Sequence, residues 1–351
     1  MTSKTILFDQ HNMKVIIHPA ANPLYAWFYI QALIQQFGKK NVSFSAKPFV
    51  DLPNDAHEVQ LLFITVDESG KTTRYAIDTN DFHSVKSGVY DWCDVYGHCN
   101  ANLKATPANQ RDKLVSLCPS FGVRPESNPM WYALQAVSNA VQSHPTHLKR
   151  FMGKYLRSWT TCVPISEYKQ IEAKDDYVFF CSTLWYNDEW NKNDETLNLT
   201  RARFIRACRR VGSLHFEGGL VSQGAERSSE QLFHDCLCRS YSKTDWLHKT
   251  QQSAIVFNTP AFWGCHGWKL GEYLALGKCI VSTPLLNDLP YPLEHGKNIH
   301  FVENSEKSMS EALWYIIKRS EYRKHLEQGA LSYWEKFGSQ VSSLKLLNIN
   351  R

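Results

Sequence analysis

Residues 253–302 constrain the fold of this chain more tightly than any other segment, because they read as strand, loop, helix and strand in close succession. Ile255, Val256, Phe257 and Asn258 make an apolar run that ends at Thr259-Pro260, where proline removes a backbone donor. A loop with Gly264, His266 and Gly267 follows, and helix signals begin near Trp268 with Glu272 in the first turns. Gly277 closes the helix before the buried strand CIVST. A unit of this kind belongs to an open α/β sheet. Ligands of such sheets sit beyond the carboxyl ends of the strands, where loop amides and a helix N-terminus meet them.

The same alternation runs through the rest of the chain. Residues 14–18 form a short apolar strand leading through the loop AANP into the helix LYAWFYIQALIQQFG, which stops at Gly38. VQLLFITV at 59–66 is a second strand, with 73–77 as its hairpin partner. VSLCPSFGVR is a strand with a Pro and Gly loop, helices are expected over 130–142 and 147–159, and the polar stretch 162–176 is a connector. YVFFCST at 177–183 is apolar enough to be buried on both faces of a parallel sheet. A helix over 199–210 and the strand LHFEGG follow it. After CIVST come a turn at 294–298, the strand IHFV and helices over 308–318 and 321–337. The fold expected is α/β in two Rossmann-like domains, 1–170 and 171–325, with a cleft between them. A C-terminal helix within 326–351 is expected to pack back toward the first domain.

With 351 residues the chain can fill two ordinary cores. A net charge of +5 is too modest for a dedicated nucleic-acid binder. The longest apolar candidate, 25–34, is half the ~20 residues of a membrane span, and the first residues lack the core and cleavage site of a signal peptide. Most of the ten cysteines (Cys118, Cys181, Cys208 and Cys279 among them) lie in apolar or strand-like contexts and read as free thiols. A cytoplasmic protein is the expectation. Cys93, His98 and Cys99, and the pair Cys236 and Cys238, lack the paired CxxC spacing of structural zinc sites, so no metal is expected. Neither GxGxxG after a strand nor GxxxxGK[ST] is found, which disfavours dinucleotide oxidoreductases and P-loop NTPases.

With Gly267, Leu270, Glu272, Ala275 and Gly277 in place, residues 253–302 resemble the donor-binding half of GT-B glycosyltransferases of group 1, the retaining Glu-x7-Glu type. The resemblance covers the C-terminal half well and the N-terminal half in outline. It implies GT-B architecture and an enzyme, a hexosyltransferase, that moves a sugar from a nucleotide-diphosphate sugar to a hydroxyl of a glycan or lipid-linked acceptor. Surface polysaccharide or glycoconjugate synthesis is the implied setting, without a metal cofactor. Ribose binding by Glu272 is implied as well. The first Glu of the pattern falls on Gly264, so His266 or another loop residue approaches the donor sugar, or the chemistry differs. The alternative is a catalytically inactive GT-B-like binding or scaffold protein.

The other candidates follow from placement. Ser182, Thr183 and Thr259 lie at strand ends. Arg201 and Arg203, at the start of a helix, and Lys269, before Glu272, oppose the macrodipole unless an anion is bound; the resemblance implies a basic pair that neutralises the diphosphate. A solvated helix face is the other reading of the arginines. Trp268 either stacks on the base or packs between domains. Gly218 and Gly219 either let backbone approach the nucleotide or make a plain turn. His18 is the candidate base, or a histidine packed under its loop, and Asn22 is the acceptor-side neighbour. Lys149, Arg150, Lys154 and Arg157 interleave with Phe151, Tyr155 and Trp159, which suits either peripheral contact with the inner face of a membrane or an ordinary surface helix.

Overall fold

The computed structural model describes residues 13–53, 56, 60–185, 191–222 and 231–349. Short apolar strands β1 (Lys14–Ile17), β2 (Val42–Phe44), β3 (Leu61–Val66), β4 (Thr72–Asp78), β5 (Val95–His98) and β6 (Leu114–Ser116) form one sheet in the order β2-β1-β3-β4-β5-β6. Only β3 runs against its neighbours. The β3–β4 hairpin read from the sequence is present, and Asp67 Oδ1 fixes its turn by accepting from the amides of Ser69 and Lys71, each at 2.9 Å. Helix α1 (Pro23–Phe37) starts where the Asn22 side chain caps it and Pro23 presets the backbone, and it stops at Gly38 with φ of 79°. Strands β2 and β5 and helix α2 (Ser87–Trp92) had no sequence counterpart, because runs of three to six residues are too short for a periodic signal. Helices α3 (Pro129–Ser143) and α4 (Leu148–Thr161) complete this half.

The second sheet contains β7 (Tyr177–Thr183), β8 (His215–Val221), β9 (Val256–Asn258), β10 (Ile280–Ser282) and β11 (His300–Phe301), all parallel. A bridge from Val178 to Ile255 joins β7 to β9, and another from Leu220 to Leu237 extends the sheet past β8. The order across the sheet is therefore Leu237, β8, β7, β9, β10, β11. Chain direction of travel reverses between β7 and β9, the switch point at which Rossmann sheets open a ligand crevice. A Cβ on Gly218 (φ +109°) would lie 2.0 Å from the Phe180 carbonyl oxygen, and one on Gly219 (φ +153°) 2.3 Å from that of Cys236. These glycines let backbone pack on backbone within the sheet, which corrects the expectation that they approach a nucleotide.

Helices α5 (Asn191–Arg210), α6 (Lys243–Gln252), α7 (Trp268–Ala275), α8 (Glu306–Ile317) and α9 (Ser320–Tyr333) surround this sheet. The start of α5 at Asn191 corrects the expected start at Leu199. Arg201 and Arg203 thus sit about three turns in, and the macrodipole argument made for them does not apply. After α9, a π turn at Trp334–Gly338 leads to α10 (Gln340–Leu346), where Gln340 Nε2 donates to the Phe28 carbonyl at 2.7 Å. Among the described residues no helix is long and apolar enough to cross a membrane.

The two halves meet on the buried segment 117–123, which follows β6. Phe121, 1% exposed, packs between Phe28 (5.6 Å), Tyr168 (4.5 Å) and Trp334 (5.7 Å). Helix α7 lies on this segment so closely that a Cβ on Gly271 would sit 2.1 Å from the Pro119 carbonyl oxygen. The ring of Trp268 closes over Gly122 and meets Tyr25 edge-on at 5.3 Å. Gly271→Ala should therefore force α7 off its seat and lower stability by about 1–3 kcal/mol, the usual cost of overpacking. Chemical denaturation of the two proteins reads this directly, and an unchanged midpoint would contradict the close seating.

Candidate functional site

Between the halves lies a cavity of about 1130 Å³. Its floor is the switch point: Ser182 and Thr183 end β7, while Asn258 ends β9 and Thr259 follows it. The first turns of α6 and α7 point into it, and Arg124, Arg157 and Glu167 border it from the other half. Gly267 brings no side chain to cap α7, and while the Leu270 amide donates to the Gly267 carbonyl at 3.1 Å, those of Trp268 and Lys269 are left for an occupant of the cavity.

Glu272 is 2% exposed on the second turn of α7. Its Oε1 accepts from the Tyr168 hydroxyl at 2.9 Å and from Lys243 Nζ, an ion pair across secondary-structure elements. A carboxylate taken out of water this far needs such partners. Oε2 makes no hydrogen bond among the described residues, and Glu272 lines the cavity. Lys243 also stands 4.1 Å over the Trp246 ring, a cation–π contact that fixes its direction.

Two further cations converge here. Arg201, 7% exposed, donates from Nη1 to the Thr183 carbonyl at 2.9 Å and so returns from α5 to the end of β7. Lys269 lies 5.8 Å from the Trp246 ring centroid. Burial, and then the charge of Arg201, push the Lys269 pKa down to about 8. The cavity therefore gathers Arg201, Lys243 and Lys269 around one carboxylate, next to open helix amides. That combination attracts a polyanion that also carries hydroxyl donors.

Of the residues expected from sequence, Ser182, Thr183, Arg201, Thr259, Gly267, Trp268, Lys269 and Glu272 line this cavity together. Trp268 packs between the halves, which was one of its two readings, and it also borders the cavity. Arg203 does not join them; its Nη1 donates to the Asn304 carbonyl at 3.2 Å. His266 does not border the cavity either. Its ring is buried, its pKa is held down at about 4 by burial, and its backbone amide donates to Asn100 Oδ1. Gly264 has φ of +77°, a backbone conformation that side-chain-bearing residues rarely adopt, so this loop conformation disfavours the carboxylate that the motif would place at this position. The loop instead carries Trp263, stacked on Phe82 of the other half at 3.7 Å.

A second cavity of about 800 Å³ lies in the N-terminal half, bordered by Asn22, Asp78, His144, His147, Arg150 and Lys154. Burial, and then Arg150, hold the Lys154 pKa below its ordinary value. Asn22 borders this space, but its Oδ1 accepts from the Leu24 amide at 3.2 Å as the cap of α1. His18 borders neither cavity; its ring packs edge-on against Phe49 at 5.1 Å, and Nδ1 accepts from the Ala20 amide at 3.3 Å. Sequence reasoning missed Lys243, Tyr168 and Trp246. The run Ser242 to Asp245 is a capping box, with Ser242 Oγ accepting from the Asp245 amide at 3.1 Å, and would have located the start of α6. Tyr168 gave no local signal. Among the described residues there is no group of three His, Cys, Asp or Glu able to hold a metal ion, and all ten cysteines are free.

No protein-family model matches the chain, and no curated protein matches it. Among solved structures, it is similar to a glycosyltransferase from Rickettsia africae ESF-5, at 12% identity over 76% of this chain and 67% of that one, with a TM-score of 0.43. It is also similar to the Anabaena protein HepE in complex with UDP-glucose (11% identity, 75% of this chain, 81% of that one, TM-score 0.39). A third is TarM (10% identity, 82% of this chain, 64% of that one, TM-score 0.36). At these values the likeness concerns general fold, and what the cavity can do is read from the chain's own side chains.

The depressed Lys269 pKa gives the cavity a pH signature. As pH rises through about 8 the free site loses this cation, whereas a bound anion favours the protonated form and raises the pKa. Binding of an anionic ligand should therefore take up a proton near that pH and weaken between about pH 7 and about pH 9. Calorimetric titrations in buffers of different ionisation enthalpy measure the uptake, and Lys269→Met should remove it. Pronounced uptake that survives in the variant would assign it elsewhere.

Proposed function

We propose that the chain is a glycosyltransferase of GT-B type, that its first cavity binds a nucleotide-diphosphate sugar, and that the sugar passes to a hydroxyl of a glycan or lipid-linked acceptor. The observation that carries this reading is the buried Glu272 with an open Oε2 beside Arg201, Lys243 and Lys269 at the switch point. A vicinal diol such as that of ribose donates to a carboxylate, while a diphosphate accepts from cations and helix amides. Helix α7 offers both on one face. Lys269 and the amides of Trp268 and Lys269 lie in its first turn, and Glu272 follows Lys269 by three residues, about 4.5 Å along the axis.

In the transfer, the bond between the sugar's anomeric carbon and the diphosphate oxygen breaks with its electron pair, and so negative charge, staying on the diphosphate; the acceptor oxygen bonds to that carbon, and the acceptor's proton passes to the departing diphosphate or to solvent. Arg201, Lys269 and the Trp268 and Lys269 amides, which border the cavity, are the groups proposed to stabilise that charge. Under this proposal these groups, without a metal, neutralise the leaving group. The second cavity, bordered by Asn22, is proposed for the acceptor side, and His18 lies two residues before its Ala20 wall. His266, neutral and enclosed, is given no catalytic role. A binding or scaffold role without turnover is the second reading, favoured by the absence of a carboxylate at Gly264.

A panel of nucleotide sugars, scored by thermal shift and donor hydrolysis, tests the proposal. One nucleotide family should stabilise the protein, and Glu272→Gln should weaken its binding about 10–100-fold, the loss expected for hydrogen bonds to a charged group. Arg203→Ala, outside the cavity, should bind normally. No stabilisation by any nucleotide sugar would overturn the donor site, whereas binding without donor hydrolysis or transfer would select the scaffold reading.

A further inference from the structure

The apolar residues of α3 are on the wrong face for a core helix. Tyr132, Ala136, Asn139 and Ala140 are buried, with Asn139 Nδ2 donating to the Tyr155 hydroxyl at 2.8 Å, while Met130, Leu134, Val137 and Val141 are exposed. Their spacing of four, three and four residues draws one continuous stripe along the helix. All four are between 53% and 72% exposed, as are Leu148 and Leu156 of the adjoining α4. The two helices share a seam through Tyr132, which packs on Tyr155 at 5.4 Å and on Trp159 at 5.5 Å. The aromatic residues of α4 that drew attention in the sequence thus turn inward, and the outward apolar surface comes chiefly from α3.

Charge selects the occupant of this surface. Residues 129–161 contain Lys149, Arg150, Lys154 and Arg157 and no aspartate or glutamate. A second copy of the same face would bring like charges together, whereas an anionic lipid surface complements both the stripe and its basic flank. We infer that the exposed face of α3 and α4 docks on an anionic membrane surface, with Met130, Leu134, Val137, Val141, Leu148 and Leu156 entering the interface, Lys149 meeting lipid headgroups, and Arg150, Lys154 and Arg157 at the cavities adding to the positive potential of α4. The same helix α4 borders both cavities, through Arg150 and Lys154 at one end and Arg157 at the other. Docking would bring the proposed acceptor side close to substrates held at the surface. This purpose rests on the proposed sugar transfer, but the docking itself does not.

The test is co-sedimentation of the full chain with vesicles of phosphatidylcholine alone and with vesicles containing phosphatidylglycerol, without nucleotide sugar. Binding to the anionic vesicles should exceed binding to the neutral ones at least tenfold and fall as salt is raised. The double variant Leu134→Glu with Val141→Glu should lose at least tenfold in vesicle binding, Lys149→Glu should lose less, and both should keep the wild-type melting temperature. Equal binding by wild type and double variant, or no preference for anionic vesicles, would overturn the inference. So would a concentration-dependent dimer that the double variant abolishes, which would assign the face to a second copy. Nucleotide-sugar binding measured without vesicles reports separately on the donor site, so failure of one reading is distinguishable from failure of the other.

Discussion

The seat of α7 on the segment 117–123 governs most of what the molecule can do. Because Gly271 has no side chain, the helix approaches the Pro119 carbonyl at backbone distance, and Trp268 can lie over Gly122. That approach carries the first-turn amides, Lys269 and Glu272 to the mouth of the second sheet in a single orientation. The ion pair of Glu272 with Lys243 and its bond to Tyr168 then tie α6 and the connector to the same helix. A buried carboxylate without those two partners would be strongly destabilising, so the electrostatics of the cavity and the packing of the halves depend on one another.

Electrostatically the cavity is unbalanced in the free protein. Arg124, Arg157, Arg201, Lys243 and Lys269 line it against the two carboxylates Glu167 and Glu272, and the Lys269 ammonium already has a lowered pKa. Such an arrangement gains stability when an anion arrives. The aromatic stack of Trp263 on Phe82 adds a second junction between the halves on the far side of α7's loop.

Legibility in the sequence followed the range of the interactions. The seven residues of β7 are buried but for the last, and their apolar run announced them without reference to anything distant. Helix α7 was legible because its capping glycines and Glu272 are local signals. Tyr168 was not, since its partner is 104 residues away and a tyrosine in a polar connector has no pattern of its own. Arg201 was selected for a reason that the longer α5 removes, yet it reaches the cavity by turning back to the Thr183 carbonyl. The outward stripe of α3 was hidden for a different cause: a helix with apolar residues on two faces has a period but gives no sign of which face is covered.

The chain crosses between its halves twice, once through the connector after α4 and once through the π turn that follows α9. Both crossings touch the same ring: Phe121 packs on Tyr168 at 4.5 Å and on Trp334 at 5.7 Å. The junction is held at other points as well, by the seat of Gly271 on Pro119 and the stack of Trp263 on Phe82. Both crossings are still keyed to one side chain, and neither the connector nor the C-terminal return can shift without disturbing Phe121.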